Sequence, residues 1–550
     1  MTTKQKMSWA SNTIFVIVSA LVAVFGSIIG VQLIASLGIT PNTSIIGVLV
    51  AIIIARVPLG WFRQFRDMHT QNLIQTTMSA ATFGAANSLL LPIGIPYALG
   101  MPNLVWPMLI GSGIALAIDV FIFYKVFDSR LFSANESWPV GVATAEALKA
   151  GDAGGRKAGL LGVGILVGLA GSYLGISMSA FGVAFIGNIW ALSFFGIGLL
   201  ASGYSEPLFG VDITAEYIPH GMMVGAGMVA LGQFIVILVG RKNANGKSEI
   251  PQTNSTDAPM DATFKDSDDR SLKTVGREEP TRTESGVRRT FAVGSILYMV
   301  GALLLATAGG ILTEMGVWQI VIFILFAALA AFSSEVIVGI AAMHSGWFPA
   351  FAVTLIMLVI GLLIGFPPAA LALLAGYVAT TGPAFADMGY DFKTGALIRR
   401  GVPIAQELYG RRQQLKAGII GFIVAFVVVA LAHESLFSQG LIPPVDKVFA
   451  TTIETGVTGS VGLKLLLWAI PGGIVQLLGG PKRQVGIMFA TGLLIVNPLA
   501  GWAVVIGIIL RLVVAKLWGQ KAESATYTLA AGFIAGDALF NFFNSIWKAR

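Results

Sequence analysis

The 550-residue chain has no cysteine, which excludes disulfide frameworks and thiolate metal sites. Histidine occurs only four times, so an imidazole-rich metal centre has little to draw on, and neither a resident metal nor a cofactor is expected. No GxxxxGK[ST] segment is present, so no phosphate-cradling loop equips the chain as an ATP-driven pump. Charge is scarce as well. Charged residues make up 11% of the chain, against about 25% in soluble domains. They are also unevenly spread: 19 of the 63 lie within 241–289, leaving 44 for the other 501 residues. No soluble fold of this size covers its surface with so little charge. Hydrophobic residues reach 55%, and 66 residues are glycine. The chain therefore reads as a polytopic membrane protein. In a soluble protein its net charge of +7 would suggest nucleic acid. Here the basic residues mark cytoplasmic loops under the positive-inside rule, and no nucleic-acid partner is expected.

A spanning helix needs about 20 mostly apolar residues. The run Ile14–Leu37 is too long for a signal-peptide core and reads as a retained first span. Further apolar segments fall at 44–60, 72–98 and 104–127. After a polar, amphipathic stretch at 128–157 they resume at 158–176, 180–203 and about 208–240. The stretch 241–289 lacks apolar periodicity and is expected to be a disordered linker between an N-terminal membrane half, 1–240, and a C-terminal half, 290–550. In the second half, apolar segments at 290–313, 316–343, 347–366 and 367–388 precede a polar stretch at 389–416. Others follow at 416–437, 461–479, 482–518 and 525–547. The expectation is an all-α fold of 14 to 16 transmembrane helices, some broken or re-entrant. The basic clusters Arg56/Arg63/Arg66, Lys125/Arg130/Lys149/Arg156/Lys157 and Arg399/Arg400/Arg411/Arg412/Lys416 fall on one side if the N-terminus and the linker are cytoplasmic, in a cell inner membrane.

Three weak matches suggest a duplication. "GRKAGLLG" (155–162) lines up with "QLKAGIIG" (414–421), "ANSLLLP" (86–92) with "MHSGWFP" (343–349), and "HGMMVGAGMVALG" (220–232) with "RQVGIMFATGLLI" (483–495). The shifts run from 257 to 263 residues and pair Asn87 with His344. Four spans precede the polar stretch in each part, so two homologous halves of the same orientation are expected. Lys157 and Lys416 then serve as cytoplasmic anchors. Internal repeats of this kind are common in transporters, whose sites lie at the repeat interface.

Three stretches carry a family resemblance. "LFSANESWPVGVATAEALKAG" (131–151) resembles the P-x-G-x-A-x-A stretch of the oligopeptide transporter family, which includes the yellow-stripe metal-chelate transporters. "FADMGYDFKTGALIRRGVPIAQELYGRRQQLKAG" (385–418) is similar to that family's D-x-K-T-G loop, and "AAGFIAGDALFNFF" (530–543) to its closing segment, with Asp537 at the acidic position. Arg399 and Arg400 precede Gly401, and Gln406 or Gln413 must supply the loop's glutamine. The resemblance implies, within a bacterial branch, a secondary transporter of small peptides, peptide-like compounds or metal chelates. It further implies proton coupling and a homodimer.

Ionisable side chains inside a bilayer are costly and mark pathways by default. Glu335 and His344 lie nine residues apart in one apolar segment, on roughly opposite faces of an ideal helix, and could share a cavity if the helix breaks near Gly339 or Gly346. Asn87 joins them through the repeat. Asp537, Asn541 and Asn544 share a helical face, which suits either a pathway or interhelical hydrogen bonding. Asp119 is a single carboxylate near the end of a span. Within the polar stretches, Glu146 can pair with Lys149, and Asp391 with Lys393, as solvated ion pairs. Alternatively these stretches dip into the membrane and offer Ser137, Thr144 and Thr394 to substrate, with Pro139, Gly141, Gly395 and Pro403 supplying the breaks. Asp212, Glu216 and His220 recur at i, i+4 and i+8. Without a second His or Cys they suggest a gate or vestibule rather than a divalent-metal site. The GxxxG pairs Gly164/Gly168 and Gly221/Gly225 read as packing surfaces. A membrane enzyme acting on a lipid-linked substrate is the competing class, but it would show one compact catalytic cluster. Acids scattered through both halves fit a central pathway better.

Overall fold

The computed structural model describes residues 13–37, 43–239, 280–346, 349–456 and 459–548. The N-terminal dozen residues and linker positions 241–279, expected to be cytoplasmic and the latter disordered, lie outside the described residues. The protein is an all-α polytopic membrane protein. Its first ten helices are α1 (Thr13–Leu37), α2 (Thr43–Ala55), α3 (Met68–Phe83), α4 (Leu91–Ala98), α5 (Val105–Val126), α6 (Pro139–Ala153), α7 (Gly155–Tyr173), α8 (Met178–Ala184), α9 (Ile189–Phe209) and α10 (Ile218–Val239). A single helix, α11 (Glu284–Ala308), follows. Ten more complete the chain: α12 (Val317–Ser345), α13 (Ala350–Ile364), α14 (Pro368–Thr380), α15 (Pro383–Ile398), α16 (Ile404–Ser438), α17 (Pro444–Thr455), α18 (Gly459–Arg483), α19 (Val485–Leu494), α20 (Pro498–Trp518) and α21 (Glu523–Lys548).

Among the described residues, nine helices are long and apolar enough to cross a membrane. Helices α7, α9, α10 and α21, at 19 to 26 residues, match a bilayer by length. The shorter apolar pieces Ser44–Ala55, Ala350–Ile364 and Val485–Leu494 are half-length. They are the broken or re-entrant elements the sequence led us to expect.

Lengths and order repeat across α11. Helices α12 to α21 take the places of α1 to α10 in sequence, with starting residues offset by 292 to 309. The packing repeats too: α7 lies on α21 as α18 lies on α10, and α6 on α15 as α17 on α4. Gly164 and Gly168 of α7 meet Gly532 and Gly536 of α21, while Gly221 and Gly225 of α10 meet Trp468 and Ala469 of α18. These are close backbone approaches that only glycine permits. Even the caps correspond. Asn188 caps α9 by accepting from the Ala191 N–H, and Asn497 caps α20 by accepting from the Ala500 N–H.

Equivalent helices run antiparallel. Along α9 and α20, Gly196 lies against Val504, Gly501 against Leu200, and Gly203 against Pro498. The spans 68–98 and 368–398, each 31 residues long and largely buried, pair Gln75 with Asp391 and Ser79 with Asp387. The repeat is therefore inverted, and its register is near 300 residues. This corrects the expected same-orientation halves at a shift of 257 to 263. "GRKAGLLG" opens α7, whereas "QLKAGIIG" lies inside α16, whose counterpart is α5. The helix without a counterpart, α11, supplies the physical reason: one extra crossing between the repeats turns the second one over.

Both central spans are interrupted where they cross. Continuing the Gln75–Asp391 register brings residue 83 opposite residue 383. Pro92 has no N–H to return to the turn before it, and the chain widens into a π-helical turn at Gly84–Leu90. In the partner span Pro383 stops α14–α15 from running through, and Gly382 turns at φ 96°, against the Val338 side chain. An added Cβ there would meet both strain and contact.

Candidate functional site

The deepest polar cluster lies between α3 and α15. In α3 the buried run includes Asn72, Gln75, Thr76 and Ser79, spaced so that one face carries them toward the crossing. In α15, Asp387, Tyr390 and Asp391 occupy successive turns of one face and are buried. Ser79 donates to Asp387 Oδ1 at 2.6 Å and is itself bonded to Ser44 of α2 at 2.7 Å. Gln75 donates to Asp391 Oδ1 at 2.7 Å. The second carboxylate oxygen of each aspartate, the Tyr390 hydroxyl, Gln75 Oε1 and both amide atoms of Asn72 are buried without a hydrogen-bond partner. No ion pair among the described residues reaches either aspartate.

A second acidic pair sits on the other side of the same helix terminus. Asp119 of α5 accepts from the Gly382 and Phe385 N–H groups at 3.4 and 2.9 Å, filling the orphan donors that begin α15. Glu335 of α12 accepts from the Tyr298 hydroxyl at 3.0 Å, and its Oε1 is buried without a partner. Asp119 and Glu335 lie within electrostatic reach of each other.

Beyond Asp391, toward the end of α15, the polar path closes in ion pairs. Gln414 donates to the Asp391 carbonyl at 2.7 Å and accepts from Arg399 at 2.8 Å. Arg399 meets Glu407 at 2.8 Å, and Arg411 meets Glu407 at 3.4 Å and Asp128 at 3.3 Å. Thr281, just before α11, donates to Asp128 at 2.7 Å. Arg399 and Arg411, read in the sequence as part of a cytoplasmic basic cluster, are thus buried network members. Lys157 and Lys416 are exposed.

The expected site residues distribute as follows. Asp391 and Lys393 do not pair, because they leave α15 on different faces. The Lys393 ammonium donates to the Ala134 and Glu136 carbonyls at 2.7 and 2.8 Å. The Thr394 hydroxyl donates to the Gly141 carbonyl at 3.0 Å, where Gly141 lets α6 approach the Tyr390 backbone. The two stretches that carry the family resemblance therefore interlock, and the 385–398 part is a buried helix rather than a polar loop. Ser137 donates to the Met343 carbonyl at 2.8 Å, and His344 Nδ1 lies 3.8 Å from Glu136. Thr144 bonds back to Val140 within its own helix. Glu146 pairs with Lys149 at 3.2 Å, as expected.

Asn87 sits half-buried in the π-helical turn, and its position in the repeat is that of Asp387 rather than His344. Asp537 accepts from Ser172 and Ser179, tying α21 to α7 and α8; Asn541 lies one turn further on, half-buried. Asp212, Glu216 and His220 do not share a helix face, since α10 begins only at Ile218. Asp212 caps its own turn, Glu216 pairs with Lys464 at 2.9 Å, and His220 is buried. No group of three metal-capable side chains occurs among the described residues.

Sequence reasoning missed Asp387, Gln75, Ser79, Asn72 and Gln414. It also missed Asp446 of α17, whose two carboxylate oxygens are buried without partners beside Gly94. The available signal was the run "HTQNLIQTTMS" (69–79), too polar for a lipid-facing span yet embedded in one. A family model described as OPT oligopeptide transporter protein matches residues 11–241 and 211–548. No curated protein matches the chain.

Proposed function

Because the chain belongs to the OPT oligopeptide transporter family, we propose that it is a secondary active transporter. In this reading it carries small peptides, peptide-like compounds or metal chelates across the cytoplasmic membrane, in symport with protons, by alternating access. The observation that carries the reading is the crossing of two interrupted, enclosed spans of an inverted repeat, lined by buried carboxyl groups. Secondary transporters place substrate and coupling-ion sites at such discontinuous helices. Proton coupling is supported by Asp119 and Glu335, which are buried, have no cationic partner among the described residues and lie within electrostatic reach of each other. A cytoplasmic linker is supported by contacts between the basic segments and those beside them: Arg56 to Gly151, Arg411 to Asp128, and Arg282, just after the linker, to Tyr124.

The test is uptake into proteoliposomes. An inward proton gradient is expected to drive concentrative uptake of labelled trialanine that a protonophore abolishes. Glu335→Gln is expected to keep peptide exchange while losing the response to the gradient. Uptake indifferent to the gradient removes proton coupling, and absence of uptake for both peptides and iron chelates removes the transport assignment.

A further inference from the structure

The α3–α15 cluster holds buried polar atoms that the chain leaves unpaired, acceptors in the main, with the Asn72 amide nitrogen and the Tyr390 hydroxyl among them. Asp387 Oδ2, Asp391 Oδ2, Gln75 Oε1 and Asn72 Oδ1 are all buried and lack a donor. Each aspartate spends one oxygen on a protein donor, Ser79 or Gln75, and holds the other open. A buried carboxylate left without a donor or a counter-charge is costly, so a ligand group with several N–H donors and positive charge matches these open oxygens. A primary ammonium carries three donors and no acceptor. A single proton satisfies one oxygen and leaves the others. The Tyr390 hydroxyl, also unpartnered and buried, lies beside Asp387.

The inverted repeat sharpens the argument. At the 300-residue offset of the two central spans, the places of Asp387 and Asp391 are taken in the first repeat by Asn87 and Leu91. Within the central spans themselves this acidic pair therefore belongs to the second repeat only, while Asp446 of α17 lies beside Gly94 of the first. We propose that Asp387 and Asp391, with Gln75 and Asn72, bind the free α-ammonium group of the carried peptide. This rests on the transporter reading above and names the chemistry its substrate must bring to that site.

The experiment compares trialanine with Nα-acetyl-trialanine, which keeps the backbone and removes the charge. With purified wild-type protein, trialanine is expected to raise the melting temperature and the acetylated peptide to leave it unchanged, since only a ligand of the native state stabilises it. Asp387→Asn and Asp391→Asn, each checked for an unliganded melting temperature at or near that of wild type, are expected to bind trialanine roughly tenfold more weakly or worse, as the loss of a charge-assisted hydrogen bond implies. Equal stabilisation by both peptides overturns the proposal on wild-type protein alone, whatever the variants do. Stabilisation by sodium ions without peptide, lost in the aspartate variants, overturns it in favour of a coupling-ion site. Concentrative uptake of both peptides alike sinks this assignment while the transporter reading stands; uptake of neither removes both.

Discussion

Asp537 accepts from serines on two different helices, Ser172 of α7 and Ser179 of α8, so both of its oxygens are occupied. Asp391 has one oxygen occupied and one open. The two aspartates look alike in the sequence, each next to a glycine-containing apolar stretch, and both were candidates for the pathway. What separates them is the supply of donors from helices hundreds of residues away, which no local pattern records. Asp387 was missed for the related reason that it stands outside the Asp-Phe-Lys-Thr-Gly run that drew attention. At this scale Asp537→Ala is expected to strand the buried Ser172 hydroxyl and the half-buried Ser179 hydroxyl and cost about 1–3 kcal/mol of stability. A thermal melt should show a fall of several degrees while the affinity for trialanine is unchanged. An unaltered melt with abolished transport would instead place Asp537 in the pathway.

The end of α15 is held by a buried chain of charges running from Gln414 through Arg399, Glu407 and Arg411 to Asp128. One guanidinium, that of Arg411, also donates to the Thr281 hydroxyl and the Phe127 carbonyl, joining the two repeats to the segment that leads into α11. Removing one member of a buried ion pair strands the other, at about 3–5 kcal/mol. If the network seals this end of the α3–α15 cluster, Arg411→Ala should open it. The absence of native cysteine makes the test clean, because a thiol introduced by Ser79→Cys is the single labelling site. A small methanethiosulfonate reagent is expected to react slowly with Ser79→Cys alone and at least several-fold faster when Arg411→Ala is added, with Glu407→Gln acting in the same direction. Equal rates in all three backgrounds would show that the network holds the helix end without closing the path. The sequence showed these arginines as a basic cluster, since charge is visible in a string of letters and its burial is not.

Across the whole molecule, the apolar periodicity and the scarcity of charge made the helical membrane fold legible, and the family-like stretches at 131–151 and 385–418 pointed to elements that do interlock. The symmetry was legible only in part. Glycine- and alanine-rich helices resemble one another at many offsets, so a match such as Lys-Ala-Gly carries little register information. The order of long and half-length helices carries more, and it emerges only once the breaks at Gly84–Leu90 and Gly382 are known. Inversion has a direct consequence for topology. Phe209 ends α9 and Trp518 ends its counterpart α20, and both are exposed, at 77% and 61%. Antiparallel equivalents must end on opposite faces of the membrane. In intact cells a membrane-impermeant maleimide is therefore expected to label only one of the single-cysteine variants Phe209→Cys and Trp518→Cys, the other reacting only after the membrane is permeabilised. Labelling of both from the same side would restore parallel halves. It would also remove the physical basis for placing the substrate where the two interrupted spans cross, because that crossing exists only if the second repeat is turned over.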